Sequence, residues 1–150
     1  MNFDLPQLPF RPVKPRESGL TMMMDKGLSL RESEDFVSSS GDYCDIVKFG
    51  FGTSILTKNL KEKLAVYNNA NLKTYFGGTL FEAFIVRGMF EEYRRFLDKY
   101  DMAYAEVSDG TLSMPHDEKL EYIRILSSQV TVMSEVGSKI ADKIIPDTVH

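Results

Sequence analysis

The sequence predicts an α/β fold in which parallel strands alternate with helices. Five short apolar runs each end in a polar cluster that contains glycine, and helix-forming patterns lie between these clusters. The marker glycines are 23, 28, 32 and 27 residues apart, and each interval suits one strand and one helix. Strands that end in reactive residues and lead into helices are how α/β enzymes build active sites. The five glycines are Gly27, Gly50, Gly78, Gly110 and Gly137.

Length and composition limit the class of protein. The chain has 150 residues, of which 43% are hydrophobic and 27% are charged, as expected for one globular domain with a substantial core. A formal net charge of −4 without a run of Lys or Arg disfavours nucleic acid as a partner. Cys44 is the only cysteine, so an internal disulfide framework is excluded and a reducing cytoplasm fits best.

The first 17 residues form a segment of their own. Four of the six prolines fall there at intervals of three with apolar residues between them, which predicts an extended arm for residues 1–17. We expect the arm to pack across the domain of residues 18–150, an alternative being a ligand for a proline-recognition module. Asp4 and two prolines interrupt any signal-peptide core, and no apolar stretch approaches the roughly 20 residues that span a bilayer. We therefore expect a cytoplasmic protein without membrane contact.

Two helices are predicted in the first half of the chain. Residues Ser29 to Glu32 form a capping box, so a helix should follow to about Ser39. Apolar residues recur at helical spacing within residues 56–69, namely Leu60, Leu64 and Tyr67. We expect the charged residues of this helix to face mostly water: Lys58, Lys61, Glu62 and Lys63.

Two further helices are predicted after residue 78. Thr79 to Glu82 is a second capping box, which predicts a helix to about Tyr100. Pro115 suits the first turn of a fourth helix that would turn Leu120, Ile123 and Leu126 inward. The predicted order is βαβαβαβαβ with sequential parallel strands, and periodicity leaves open whether they form an open sheet or part of a barrel.

Charged and hydroxyl side chains collect at the predicted carboxyl ends of the strands. Carboxylates and ammonium groups at one mouth suit Mg²⁺ binding and the stabilisation of an enolate. Glu82 has a plainer explanation in its capping box, and Asp109 in a common Asp-Gly turn. Glu106 and Glu135 are stronger candidates, because an acid within an apolar strand is costly to bury without a partner. The set comprises Asp25, Lys26, Lys48, Thr53, Ser54, Glu106, Ser108, Asp109, Glu135 and Lys139.

Other kinds of chemistry find less support in the sequence. His116 falls in the first turn of a helix and His150 is the last residue, so no catalytic triad or two-histidine metal site is indicated. Neither Ser54 nor Cys44 has a histidine in its pattern, which disfavours nucleophilic hydrolysis. Free backbone N–H groups at Gly77 to Thr79 could bind an anion at a helix start.

Five ordered motifs resemble the phosphosulfolactate synthase family, and the resemblance covers nearly everything after residue 15. Plant heat-stress proteins are also similar to this sequence. One departure is Phe51, which stands where the family usually has tryptophan. The motifs are Arg16–Gly27 (RESGLTMMMDKG), Val47–Ser54 (VKFGFGTS), Gly77–Glu82 (GGTLFE), Ala105–Thr111 (AEVSDGT) and Ser134–Lys139 (SEVGSK).

The resemblance implies a TIM (β/α)8 barrel, of which residues 18–150 would form the N-terminal portion with about five βα units. It also implies Mg²⁺-dependent addition of sulfite to phosphoenolpyruvate, which gives phosphosulfolactate on a route to coenzyme M. Because three strands and the family's Gly-Arg-Glu-Ser-Gly segment would lie outside these 150 residues, we expect this chain to be inactive alone. Its two strand edges predict self-association into a homo-oligomer.

The resemblance also implies roles for individual residues. Lys139 would protonate the carbon next to the one that sulfite attacks, and Lys26 and Lys48 would hold the anionic groups. Mg²⁺ would be held by Glu106, Asp109 or Glu135. The residues expected to bind and orient the substrate are Asp25, Thr53, Ser54, Gly78 and Thr79.

Two alternatives remain open at this point. One is an aldolase-like barrel enzyme in which Lys26 or Lys139 forms a Schiff base. The other is a non-catalytic barrel protein related to heat stress, which keeps the fold and binds partners.

Overall fold

The computed structural model describes residues 5–137 of the chain. Its strands form one parallel sheet with the order β1-β2-β3-β4-β5. Consecutive strands are therefore neighbours, as in an incomplete TIM barrel, which confirms the predicted fold class and strand order. The strands are β1 (Met22–Asp25), β2 (Ile46–Phe49), β3 (Lys73–Phe76), β4 (Tyr104–Val107) and β5 (Thr131–Ser134).

Helices fill each connection between the strands. α1 begins at its predicted capping box, in which Ser29 Oγ accepts from the Glu32 N–H at 3.2 Å and the Glu32 carboxylate accepts from the Ser29 N–H at 2.7 Å. No helix within residues 5–137 is long and apolar enough to cross a membrane. The helices are α1 (Leu30–Ser40), α2 (Leu60–Asn69), α3 (Gly78–Ile85), α4 (Phe90–Lys99) and α5 (His116–Ser127).

Two predicted features of the third helix are wrong. The single helix expected up to Tyr100 is divided into α3 and α4, with Gly88 in a left-handed conformation (φ 66°) between them. The expected capping box is not formed, because Gly77 is the N-cap residue and the Glu82 carboxylate binds the loop after β4 instead.

One prediction for α5 is also wrong. Leu120 does not face inward, because its side chain is 43% exposed.

The second helix starts later than its pattern suggests. Asn59 has a left-handed φ of 56°, and α2 begins only after it, at Leu60. Leu60, Leu64 and Tyr67 are buried as predicted. The prediction for Lys63 is wrong, because this residue is completely buried rather than facing water.

The hydrophobic core lies between the sheet and the helices. Because side chains alternate along a strand, every second strand residue faces the helices, and Phe49 and Phe76 are completely buried there. The Phe76 ring contacts Phe49, Phe96 and Tyr100, with ring centroids 5.0–5.9 Å apart. The opposite face, which lines the interior in a TIM barrel, carries Met24, Lys48, Tyr75, Glu106 and Met133.

Residues 5–17 of the N-terminal arm contact the domain through basic side chains. Arg11 and Arg16 bind the Asp45 carboxylate, with N–O distances of 3.3 and 2.7 Å, and Lys14 Nζ donates to the Gly41 carbonyl at 2.6 Å. The apolar side chains of the arm stay outside, and Phe10 is 92% exposed. The arm is thus attached at the amino end of β2 by charge-assisted hydrogen bonds.

Candidate functional site

Polar side chains at the carboxyl ends of the strands lie on both faces of the sheet. Lys48 and Glu106 belong to the face that lines a barrel interior, whereas Asp25 and Asp109 are buried on the helix side. Active sites of TIM barrels form at this end of the strands. The interior group is therefore the candidate site, and the helix-side groups lie on the opposite face of the sheet.

Lys48 and Glu106 form the centre of the interior group. Lys48 Nζ donates to Glu106 Oε1 at 2.7 Å, and the Gly78 N–H donates to the same oxygen at 2.8 Å. Burial alone would raise the pKa of Glu106, but the hydrogen bonds from Lys48 and Gly78 outweigh it and hold the pKa below its ordinary range. Glu106 is therefore a carboxylate at neutral pH, paired with an ammonium group.

Tyr75 and Glu135 extend this group. Burial raises the pKa of Tyr75 far above its usual value, and the nearby Glu106 carboxylate raises it further, so the phenol keeps its proton. The carboxyl group of Glu135 lies within hydrogen-bonding reach of Glu106. One ammonium group, one neutral phenol and two carboxyl groups thus meet on the interior face, where they could bind an anionic ligand or a cation.

Glycines at the start of α3 permit this arrangement. A Cβ atom on Gly77 would lie 2.7 Å from Cε of Lys48, and one on Gly78 would lie 2.3 Å from Cβ of Ser108. Neither position tolerates a side chain without displacing its neighbour. The Gly78 N–H, expected to be free for an anion, already donates to Glu106, and Thr79 follows half-buried in the first turn of α3.

Asp25 is saturated by hydrogen bonds from the protein itself. Its Oδ1 accepts from the N–H groups of Gly27 and Leu28 at 2.9 Å, and its Oδ2 accepts from the Tyr67 hydroxyl and from Lys63 Nζ at 2.7 Å. Burial would raise the pKa of Asp25, but the hydrogen bonds from Lys63 and Tyr67 lower it below the ordinary value. Asp25 therefore holds the turn after β1 in its ionised form.

Lys26 and the loop after β2 (residues 50–55) lie next to each other at the carboxyl end of the sheet. This end of the interior face is called the mouth of the site. Lys26 is exposed, and its Nζ lies 5.7 Å from the centroid of the Phe51 ring, within cation–π range. Phe51 and Gly52 both have left-handed backbone angles, which fold this loop tightly. Thr53 Oγ1 donates to the Gly50 carbonyl at 2.8 Å, whereas the buried Ser54 Oγ finds no hydrogen-bond partner within residues 5–137.

The loop after β4 is anchored by two helices. Asp109 Oδ1 accepts from Lys119 Nζ of α5 at 2.9 Å, and both side chains are buried. The Glu82 carboxylate of α3 accepts from the N–H groups of Gly110 at 3.1 Å and Thr111 at 2.9 Å, and also from the hydroxyls of Ser108 and Thr111. Asp109 and Glu82 thus shape the loop that follows Glu106.

A magnesium site can be tested only against the carboxylates that these residues present. No group of three or more His, Cys, Asp or Glu within residues 5–137 is arranged to hold a metal ion. Glu106 and Glu135 face the interior together, whereas Asp109 faces Lys119. Mg²⁺ usually takes one or two carboxylates together with substrate phosphate and water, so Glu106 and Glu135 fit as donors. Lys139 lies outside the described residues.

Sequence reasoning missed the two buried lysines, although their spacing could have revealed them. Lys63 lies three residues after Leu60 and four before Tyr67, which places it on the buried stripe of α2. Lys119 lies seven residues before Leu126, on the buried side of α5. A lysine within an apolar stripe indicates a buried partner, and the partners here are Asp25 and Asp109.

Comparisons with known proteins agree with the resemblance that the five sequence motifs indicate. Residues 9–149 match the family model described as (2R)-phospho-3-sulfolactate synthase (ComA). A phosphosulfolactate synthase of Bacillus subtilis is 42% identical over 136 residues, which cover 91% of this chain and 54% of that relative. Phosphosulfolactate synthases of Methanocaldococcus jannaschii and Methanothermobacter thermautotrophicus are 38% and 37% identical, over 85% and 87% of this chain and 52% of each relative.

The extent of these matches and their sequence identities show to which family the chain belongs. The family model covers almost the whole sequence, and three curated relatives share more than a third of the aligned residues. The chain spans about half the length of the curated relatives it matches. The chain therefore belongs to the phosphosulfolactate synthase family.

Proposed function

We propose that the protein adds sulfite to phosphoenolpyruvate and forms phosphosulfolactate. The observation that supports this most is the interior group around the Lys48–Glu106 pair, at the end of the sheet where barrel enzymes bind substrates. It offers an ammonium group and a neutral phenol to substrates that are both anions. Family membership supports the same reaction.

The reaction requires one bond to carbon and one proton. The sulfur lone pair of sulfite forms a bond to the methylene carbon of phosphoenolpyruvate, and the π electrons of the double bond move onto the neighbouring carbon and the carboxylate. A proton then adds to that neighbouring carbon, so that no atom is lost. The site must therefore bind two anions, stabilise an enolate-like charge and supply one proton.

Three lysines divide these tasks in our proposal. Lys48, held by Glu106, and Lys26, exposed at the mouth, bind the anionic groups of the substrates. Lys139, which matches the lysine of the family's Glu-Val-Gly motif, is the proton donor. Thr53, Ser54 and the start of α3 at Gly78 border the same mouth and orient the substrate.

Magnesium belongs to the proposal as a cofactor. Glu106 and Glu135 are the carboxylates that would hold it, and Asp109 would first have to leave Lys119. When bound, Mg²⁺ would supply positive charge that stabilises the enolate-like carboxylate. A route to coenzyme M and a cytoplasmic location belong to the same proposal and rest on the family alone.

The decisive experiment measures sulfite-dependent consumption of phosphoenolpyruvate by the full-length protein. We expect Lys139→Ala to lower kcat by about 10²–10⁴-fold, the usual contribution of a general acid, and Lys48→Met to raise the KM for phosphoenolpyruvate. The exposed Lys61→Met is the matched control and should behave as wild type. Equal rates for wild type and Lys139→Ala would remove Lys139 from the mechanism, and a wild type without sulfite-dependent consumption would overturn the proposed function.

A further inference from the structure

We propose that Lys63 is a positioning residue that, through Asp25, holds Lys26 at the mouth of the site. The importance of Lys26 for substrate binding rests on the proposed function, whereas the fixing of its backbone by Lys63 does not. Lys63 lies on α2, 37 positions after Lys26, and unlike the exposed Lys61 of the same helix it falls on the buried stripe with Leu60 and Tyr67.

The contacts of Lys63 and Asp25 converge on the turn that contains Lys26. The Asp25 carboxylate accepts from the N–H groups of Gly27 and Leu28 at 2.9 Å. Lys63 Nζ lies 2.7 Å from the other oxygen of Asp25 and also donates to the Leu28 carbonyl. The backbone N–H and the backbone carbonyl of Leu28 are therefore both bound by one buried ion pair. Lys26, in between, has its backbone fixed from the residue before and the two residues after.

The conformation of the turn at residues 25–28 also determines where the Lys26 side chain lies. Gly27 has a φ of 107°, which residues with a side chain rarely adopt. A Cβ atom added to Gly27 would lie 3.7 Å from Cγ2 of Thr53, in the loop after β2. The Lys26 side chain lies over the Phe51 ring of the same loop. If the turn moved, the ammonium group of Lys26 would leave the mouth formed by these two loops.

A buried ion pair contributes little to the stability of a fold compared with apolar residues of similar volume. Two charges lose their hydration when they are buried, and well-packed apolar residues are often at least as stabilising. Removing one partner, however, leaves the other charge buried without compensation. A test must therefore remove both charges together, and Asp25→Asn/Lys63→Met does so with little change in volume.

The first measurement needs no catalytic activity. Trypsin cleaves after exposed lysines, and we expect cleavage after Lys26 in full-length Asp25→Asn/Lys63→Met to be at least tenfold faster than in wild type. Cleavage after Lys99, an exposed lysine of α4, is the internal reference and should not change. The matched control, Asp35→Asn/Lys61→Met, alters an exposed aspartate and an exposed lysine and should be cleaved like wild type. Unchanged cleavage after Lys26 in a folded paired variant would overturn the proposal.

If the paired variant does not fold, a measurement on wild type still tests the hydrogen bonds by which Asp25 would fix the turn. The amide hydrogens of Gly27 and Leu28 should exchange at least a hundredfold more slowly than those of an unprotected turn, because Asp25 accepts both. Exchange at the unprotected rate would contradict the proposal.

The second measurement separates positioning from a general effect on folding. With sulfite saturating, we expect the paired variant to raise the KM for phosphoenolpyruvate about tenfold and to change kcat less than threefold. A smaller fraction of folded enzyme would lower kcat and leave KM unchanged, which would contradict a positioning role. If wild type lacks the proposed activity, the proposed function fails, and cleavage still decides whether the Asp25–Lys63 pair fixes the turn.

Discussion

The ammonium group of Lys48 lies 2.7 Å from Oε1 of Glu106, although the two residues are 58 positions apart and β3 lies between their strands. Gly77, at the end of β3, lets the lysine pass because its missing Cβ would lie 2.7 Å from Cε of Lys48. The pair thus connects β2 with β4 across the interior face. This contact requires Gly77, which is adjacent in sequence to neither Lys48 nor Glu106.

The Lys48–Glu106 pair should show strong energetic coupling. In a double-mutant cycle with Lys48→Met and Glu106→Gln, we expect a coupling free energy of about 1–3 kcal/mol, because each single change leaves a buried group without its partner. The control cycle is Arg95→Met and Glu92→Gln, whose ion pair is largely exposed and should couple by less than about 1 kcal/mol. Urea unfolding measures both cycles, and equal coupling in the two would contradict the prediction.

A methyl group at Gly78 should destabilise the fold. Gly78→Ala would place its Cβ 2.3 Å from Cβ of Ser108, so β4 and α3 must move apart, at a cost of about 1–3 kcal/mol in the free energy of unfolding. Gly41→Ala is the control, since its backbone is helical and its nearest neighbour, Val37, would lie at an ordinary 3.6 Å. Urea unfolding of the two variants should differ clearly, and similar stabilities would show that the contact at Gly78 relaxes freely.

Both oxygens of the Glu82 carboxylate should be needed as hydrogen-bond acceptors. In Glu82→Gln an amide NH₂ group replaces one oxygen that accepts hydrogen bonds from the loop after β4, so a donor meets a donor. We expect the free energy of unfolding to fall by about 1–3 kcal/mol, the usual cost of an unsatisfied buried group. Glu34→Gln, on the exposed side of α1, should stay within about 0.5 kcal/mol of wild type. A wild-type stability for Glu82→Gln would rule out this anchoring role.

The attachment of the arm should depend on pH. Burial would raise the pKa of Asp45, but hydrogen bonds from the Thr21 N–H and from Arg16 outweigh it and lower the pKa. A carboxyl group with a lowered pKa in the folded state stabilises the fold above its unfolded pKa of about 3.9, and this contribution is lost as the pH falls through the folded value.

Asp45→Asn should therefore be less stable than wild type at pH 7, and the difference should shrink as the pH falls below about 4. Urea unfolding between pH 2 and 7 measures this, with Asp42→Asn, an exposed neighbour, as the control. A difference that stays constant over this range would contradict the lowered pKa of Asp45.

Local patterns predicted some features of the site well. The capping box at Ser29 formed because its two hydrogen bonds lie within four residues. The same pattern at Thr79 failed because Glu82 finds better donors in a loop that lies 28 residues further along the chain. A motif of four residues cannot reveal a competitor that only folding brings near.

The sequence by itself determined the alternation of strands and helices, their parallel order, the family and the end of the sheet at which the reactive residues lie. These follow from periodicity and from the order of motifs, which are properties of neighbouring residues. Only the tertiary structure decided which charges face the interior and which are paired behind the sheet. Asp25 is the last residue of β1 and Glu106 is the second-to-last residue of β4, yet one meets Lys63 of a helix and the other meets Lys48 of a strand. The physical reason is that strand side chains alternate between two faces, and the partner of a buried charge comes from a distant part of the chain.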